Sequence, residues 1–398
     1  MIFDPNVLNI PYSSYLFYFL SDSVNLIFCT VILFIFYIYK KINNFEFIIW
    51  FIGFALVIPL NFLAEIYNFF PDLGGYLVCL RDLRENFIFE YPECTITFMS
   101  SAEEESEAIG IFSLKRQIPA LIYFLFPIPS IANFASIGFI NKVILFFTYL
   151  FVKNHISDNQ DRMLLLLLFF LPTILLYSSI GIRDNLIFCF SLIFLIYTLK
   201  ERFLLSSLIL AIIFSIKLQN AISLAILFLG IYIFQAHKRL PNFILFLISM
   251  LIIFVLFQDT ITEVINYFRI AFLNEVGLLT PNEIFDGFQS VWQLVVLSPF
   301  SFIKGILAPL PTNPFNIIFF TESLFLIGIS IYLILKNRKN MNFLQTIIVF
   351  MVTYSGIVLN VFVVENDFTL LRYKFTFLNL FIVYLILIQE ASYKHQNK

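Results

Sequence analysis

Charge is what this sequence has least of. Only 13% of its 398 residues are Asp, Glu, Lys or Arg, against 60% hydrophobic residues, and the mean hydropathy is +0.92. Those values exclude a water-soluble globular chain and define a polytopic membrane protein. Histidine is nearly absent: His155, His237 and His395 are the whole set, and no Cys or His pair has zinc spacing. There is no G-x-x-x-x-G-K-[ST], no G-x-G-x-x-G and no G-x-S-x-G, so nucleoside triphosphate, dinucleotide and serine-hydrolase chemistry have no motif to stand on. The net charge of -2, with basic residues scattered in ones and twos, gives a nucleic acid nothing to bind. The opening "MIFDPNVLNIPYSSYLFYFL" lacks a basic n-region and a small-residue cleavage site, so its first helix is expected to be retained. No fixed-period repeat is present.

What the chain does have is long apolar runs. About 17–25 such residues cross a bilayer, and the sequence predicts an all-α protein with about 11 spans. They fall near 16–39, 46–66, 138–153, 162–180, 185–199, 203–219, 220–236, 242–258, 315–335, 343–363 and 374–390. Thirteen of the 24 basic residues then fall in short loops on one side, among them Lys40, Lys41, Lys153, Arg162, Lys238, Arg239 and Lys336, with only five acids. The positive-inside rule makes that side cytoplasmic, the N-terminus outside and the C-terminus inside. The register requires that "IPALIYFLFPIPSIANFAS" (118–136), with three prolines, be re-entrant or surface-lying rather than a span.

Two outer segments, 67–137 and 259–314, are too long to be connectors, and long ordered loops are usually functional. The whole of 1–398 is read as one integral membrane domain carrying these two loops. Cys79 and Cys94 lie in the first loop and Cys29 and Cys189 in spans. A Cys79–Cys94 disulfide and two unpaired thiols are both open at this level.

The sparse ionisable groups gather at the outer boundary. Lys142, Arg183, Lys217 and Arg372 arrive there from different helices, each a potential phosphate partner at the depth where a lipid-linked pyrophosphate presents its anion. The plain alternative is snorkelling towards headgroups. Asp184 either orients Arg183 or caps the helix that follows. Glu65 and Asp72 flank "IYNFFPDLGGYL", where the second span opens into the first loop, a suitable place for a general base on an acceptor hydroxyl. Asp72 is also a natural turn residue in "PDLGG". The acidic run "EEESE" at 103–107 reads as a solvated surface.

These residues resemble the GT-C glycosyltransferases, and within them the bacterial O-antigen-type polysaccharide polymerases. The resemblance extends over about residues 46–390. It is carried by "RQIPALIYFLFPIPSIANFASIGFINKVILFFTYLFVKN", by "LPTILLYSSIGIRDNLIF" with its Arg-Asp step, by "FIKGILAPLPTNPFN", and by "ENDFTLLRYKFTFLNLF", which is similar to an Arg-Tyr-Arg turn but has Lys374 in third place. It implies a GT-C-like helix arrangement and transfer, expected to be inverting, from a polyprenyl-phosphate- or diphosphate-linked sugar donor to a glycan acceptor at the outer face. Asp72 is then the base, with Glu65 second, and Arg183, Asp184, Lys217, Arg372 and Lys142 form the phosphate site. The first loop lacks a plain Asp-x-Asp, which leaves metal dependence open; no cofactor is called for. A single-sugar transferase of the same donor class, a flippase for lipid-linked saccharides and a non-catalytic scaffold are the alternatives.

Overall fold

A computed structural model describes residues 12–66, 73–87, 94, 117–126, 128–237, 244, 248–249, 252, 255–275, 287–338, 341–364 and 367–396. Among these the chain is helical and contains no strand. The helices are α1 (Tyr12–Ile38), α2 (Asn44–Ala55), α3 (Val57–Ile66), α4 (Leu73–Asn86), α5 (Phe134–Lys153), α6 (Asn159–Phe169), α7 (Pro172–Ser179), α8 (Asp184–Leu199), α9 (Phe203–Ile216), α10 (Leu218–His237), α11 (Gln258–Glu275), α12 (Val291–Leu307), α13 (Pro314–Asn337), α14 (Phe343–Val363) and α15 (Asp367–Gln396).

Among the described residues six stretches are long and apolar enough to cross a membrane: Phe17–Ile38, Asn44–Leu63, Phe134–Lys153, Pro314–Asn337, Phe343–Val363 and Leu370–Ile388. The predicted span 162–180 is instead a bent pair, α6 and α7 meeting at 54°. Pro172 explains the break, because it has no N–H to donate and its ring clashes with the preceding turn. The predicted spans at 185–199, 203–219 and 220–236 correspond to shorter apolar helices, and 242–258 lies largely outside the described residues. Helix starts follow local chemistry. Asn43 and Glu46 close a capping box on α2, while Asp158, Ser290, Asn313 and Asn342 cap α6, α12, α13 and α14.

The chain forms two compact units, residues 1–151 with 174–189, and residues 152–173 with 190–398. In the first, α5 is the enclosed element, with 89% of its apolar window buried against 28% for both α1 and the stretch Asn44–Leu63. In the second, α15 plays that part, packing with α13 and α14, while α10 and α12 also lie on α14.

The described part of 67–137 is built on α4. Cys79 and Cys94 form a buried disulfide, and Gln117 donates to the Cys94 carbonyl. Residues 117–124 are helical, and 128–133 then run without helical structure into α5. The predicted re-entrant or surface-lying segment is therefore a short helix followed by an irregular strip. Its backbone is satisfied by side chains: the carbonyls of Phe126 and Ile128 accept from Arg84, that of Ser130 from Asn25 of α1, and that of Ala132 from Arg81. Irregular backbone survives near a membrane only when such donors replace water. Burial pulls the Arg84 pKa below the ordinary guanidinium value, as desolvation of a cation requires.

The described part of 259–314 holds two helices, α11 and α12, rather than an open loop. Ile265 of α11 and Val291 and Leu294 of α12 pack with Val358 and Phe362 of α14. Gly305 lets α12 lie close on α14, where a Cβ would stand 2.5 Å from Ile357.

Candidate functional site

In the first unit the turn between α7 and α8 carries Arg183 and Asp184. Gly181 turns the chain with φ +73°, a backbone state in which a side chain is strained. The turn is fixed to α5 by paired amides: Asn141 donates to the Ile182 carbonyl at 3.1 Å and Asn185 donates back to the Asn141 carbonyl at 3.1 Å. Just before it, the Ser179 carbonyl accepts from Asn61 of α3 at 2.6 Å and lies directly over Gly138. Asp184 is buried and is the first residue of α8, so its charge faces the positive end of the helix dipole, in agreement with the capping alternative. Arg183 beside it is half-buried.

Lys142 takes a different place from the boundary position expected of it. Helix α5 begins at Phe134, which puts Lys142 roughly 12 Å into the helix at 1.5 Å per residue. Its side chain is 1% exposed and its ammonium reaches the Leu175 carbonyl at 3.4 Å. Glu65 ends in α3 with its side chain outside the described residues, and Asp72 and the 103–107 run lie outside them entirely.

In the second unit two of the expected phosphate partners converge. Lys217 interrupts the apolar run between α9 and α10 in an extended conformation, φ -157° and ψ 101°, and is buried. Its ammonium lies 3.3 Å from the centroid of the Tyr373 ring, and the Arg372 guanidinium lies 6.0 Å from the same ring. Both contacts lie within cation–π range. One aromatic face thus gathers two cations from two helices.

The expected turn at 372–374 is helical, lying within α15 (Asp367–Gln396), and its third residue, Lys374, does something else. Its ammonium donates to the carbonyls of Ile306, at 2.9 Å, and of Ala308, and to the Ser323 hydroxyl. An ammonium has three hydrogens, and those three acceptors use them. The two carbonyls come from the C-terminal end of α12, the negative end of its dipole. Beside Ser323, Glu322 accepts from the backbone N–H of Thr173 at 2.9 Å and from its hydroxyl at 2.8 Å, at the N-terminal end of α7. Lys374 also acts electrostatically on Glu322. A buried acid and a buried base each sit on the helix end of opposite sign. Within the second unit they tie Thr173 to α13, and α12 to α13 and α15, at the residue that follows Arg372 and Tyr373.

Sequence reasoning missed Glu322, the role of Lys374 and the ring of Tyr373. The signal for Glu322 was present in "FFTESLFLIG", an acid inside an apolar span, which is rarely idle. Lys142 and the Arg183–Asp184 turn belong to the first unit, and Lys217, Arg372 and Tyr373 to the second. Among the described residues no group of three or more His, Cys, Asp or Glu side chains is placed to hold a metal ion. Comparison with protein-family models, curated proteins and solved structures gives no match.

Proposed function

We propose that this is a membrane glycosyltransferase that takes a sugar or oligosaccharide from a polyprenyl-phosphate or diphosphate carrier at the outer face and polymerises a surface glycan. The observation that carries the reading is the meeting of Lys217 and Arg372 on the Tyr373 ring, a cationic, partly desolvated site where the break between α9 and α10 meets α15, in a protein otherwise poor in charge. In the reaction the acceptor hydroxyl attacks the anomeric carbon, the bond from that carbon to the carrier phosphate breaks, and the phosphate leaves with the electron pair. Preorganised cations stabilise that leaving charge. The hydroxyl proton passes to a carboxylate, for which Asp72 and then Glu65 remain our assignments. The buried disulfide of the first outer segment accords with an oxidising, outward location for that segment.

A flippase of the same lipid-linked substrate is a second reading, favoured by the interrupted helices at Pro172 and Lys217, since transporters place substrate at broken helices. Binding of polyprenyl diphosphate to the purified protein tests what the two readings share. Arg372→Ala and Lys217→Ala are each expected to weaken binding about tenfold or more, the worth of a charge-assisted contact. Unchanged binding in both variants removes the phosphate site. Release of free carrier on mixing with acceptor then separates transfer from transport.

A further inference from the structure

The buried face of α1 is polar over its outer half. Ser21, Asp22, Asn25 and Cys29 are buried, whereas Phe19, Leu20, Ile27 and Val31 are exposed. This face grips the irregular strip before α5. Asn25 brackets Ser130, donating to its carbonyl at 2.8 Å and accepting from its N–H at 3.1 Å, and Ser21 bonds the Ser130 hydroxyl at 2.8 Å. Asn133 donates to Oδ2 of Asp22 at 2.9 Å.

One acceptor is left over. Oδ1 of Asp22 is buried and has no hydrogen-bond partner among the described residues, in a side chain only 5% exposed. Asp22 stands five residues into the apolar stretch Phe17–Ile38, about 8 Å along the helix. An unpaired carboxylate oxygen there is costly. The clamp itself does not need the charge, because Asn at this position would accept from Asn133 equally well. Among the described residues the other buried carboxylates of this unit are engaged: Glu46 accepts from the Asn43 N–H and the Tyr149 hydroxyl, Asp82 accepts from Asn86, and Asp184 also has a partner.

The missing partner must bring an O–H or N–H donor, since a carboxylate only accepts. A phosphate would be repelled. Asn133 holds the acid, and Ser21, Asn25 and Ser130 form the rest of the same clamp, hydroxyls and amides that both donate and accept and suit a ligand carrying several hydroxyls. We propose that Asp22, with this group, forms a saccharide-hydroxyl subsite in the first unit, Oδ1 accepting from a sugar O–H. The proposal rests on the glycosyl-transfer reading and says where that unit holds the glycan.

Asp22→Asn tests it. The probe is the oligosaccharide released by mild acid from the host cell's surface glycan. Its binding to the purified full-length protein is followed by saturation-transfer NMR, beside polyprenyl diphosphate binding and a thermal melt. The expected result is saccharide binding at least tenfold weaker, diphosphate binding intact, and a melting temperature equal to or above wild type, because a buried charge has been removed. Equal saccharide binding by Asp22→Asn overturns the proposal. So does a lowered melt with loss of both ligands, which would make Asp22 structural. Wild-type protein that binds diphosphate and no oligosaccharide overturns the subsite alone, whereas wild type that binds neither overturns the glycosyl-transfer reading with it.

Discussion

Gly138→Ala should abolish accumulation of folded protein. A Cβ at this position would stand 1.8 Å from the Ser179 carbonyl oxygen and 2.9 Å from its carbon, distances no relaxation of a flexible side chain can relieve because the obstacle is backbone. That carbonyl cannot retreat, since Asn61 holds it at 2.6 Å, and Val57 flanks the same point at 3.0 Å. Overpacking usually costs about 1–3 kcal/mol and more when backbone must shift, and a fold has only about 5–15 kcal/mol in hand. Size-exclusion chromatography of the fluorescently tagged protein in detergent is the measurement, and a monodisperse peak of wild-type height would refute the packing described for α5 and α7. Gly328→Ala is the control. Nothing lies within 4 Å of its added Cβ, so it should be neutral or slightly stabilising, by up to about 1 kcal/mol.

Lys374→Met should destabilise the second unit by about 3–5 kcal/mol, the usual result of removing one side of a buried charge pair. The substitution leaves two helix-end carbonyls and the Ser323 hydroxyl without their donor and takes away the positive charge next to Glu322. Lys374→Arg should rescue only partly, because a planar guanidinium does not match three acceptors arranged for an ammonium. Adding Glu322→Gln to Lys374→Met should recover part of the loss, since it removes the charge left unbalanced. Thermal melts of the four proteins check this, and additive losses in the double variant would mean that the two residues are not coupled. Polyprenyl diphosphate binding should weaken in Lys374→Met even where the protein remains folded, since Lys374 anchors the part of α15 that presents Arg372 and Tyr373.

Class and broad helix positions were legible because hydropathy is a local property of the chain. The interruptions were only half legible. The boundary read between 203–219 and 220–236 falls close to the break at Lys217, whereas 162–180 was read as one span across Pro172, where the helix bends. Helix α12 was read as loop because it is short, contains Pro299 and follows polar residues; it is helical because its apolar face packs on α14, a partner some 60 residues on. The cationic members of the site could be named from sequence because boundary charges are rare in such a chain. Their grouping could not: Thr173 meets Glu322 across 149 residues and Lys374 meets the end of α12 across 66 to 68. The strip at 128–133 shows the same thing. Its prolines announced irregular backbone, but the arginines of α4 and Asn25 of α1 that satisfy it are distant in sequence.

The central claim is that the protein transfers sugar from a lipid carrier. The most direct measurement compares surface glycans and extracted carrier-linked intermediates from cells with the wild-type gene, without it, and with Arg372→Ala at equal protein level. Glycosyl transfer with polymerisation predicts loss of the long-chain ladder and build-up of carrier-linked single repeat units in both altered strains. An unchanged ladder with an unchanged carrier-linked pool in the strain lacking the gene would contradict it.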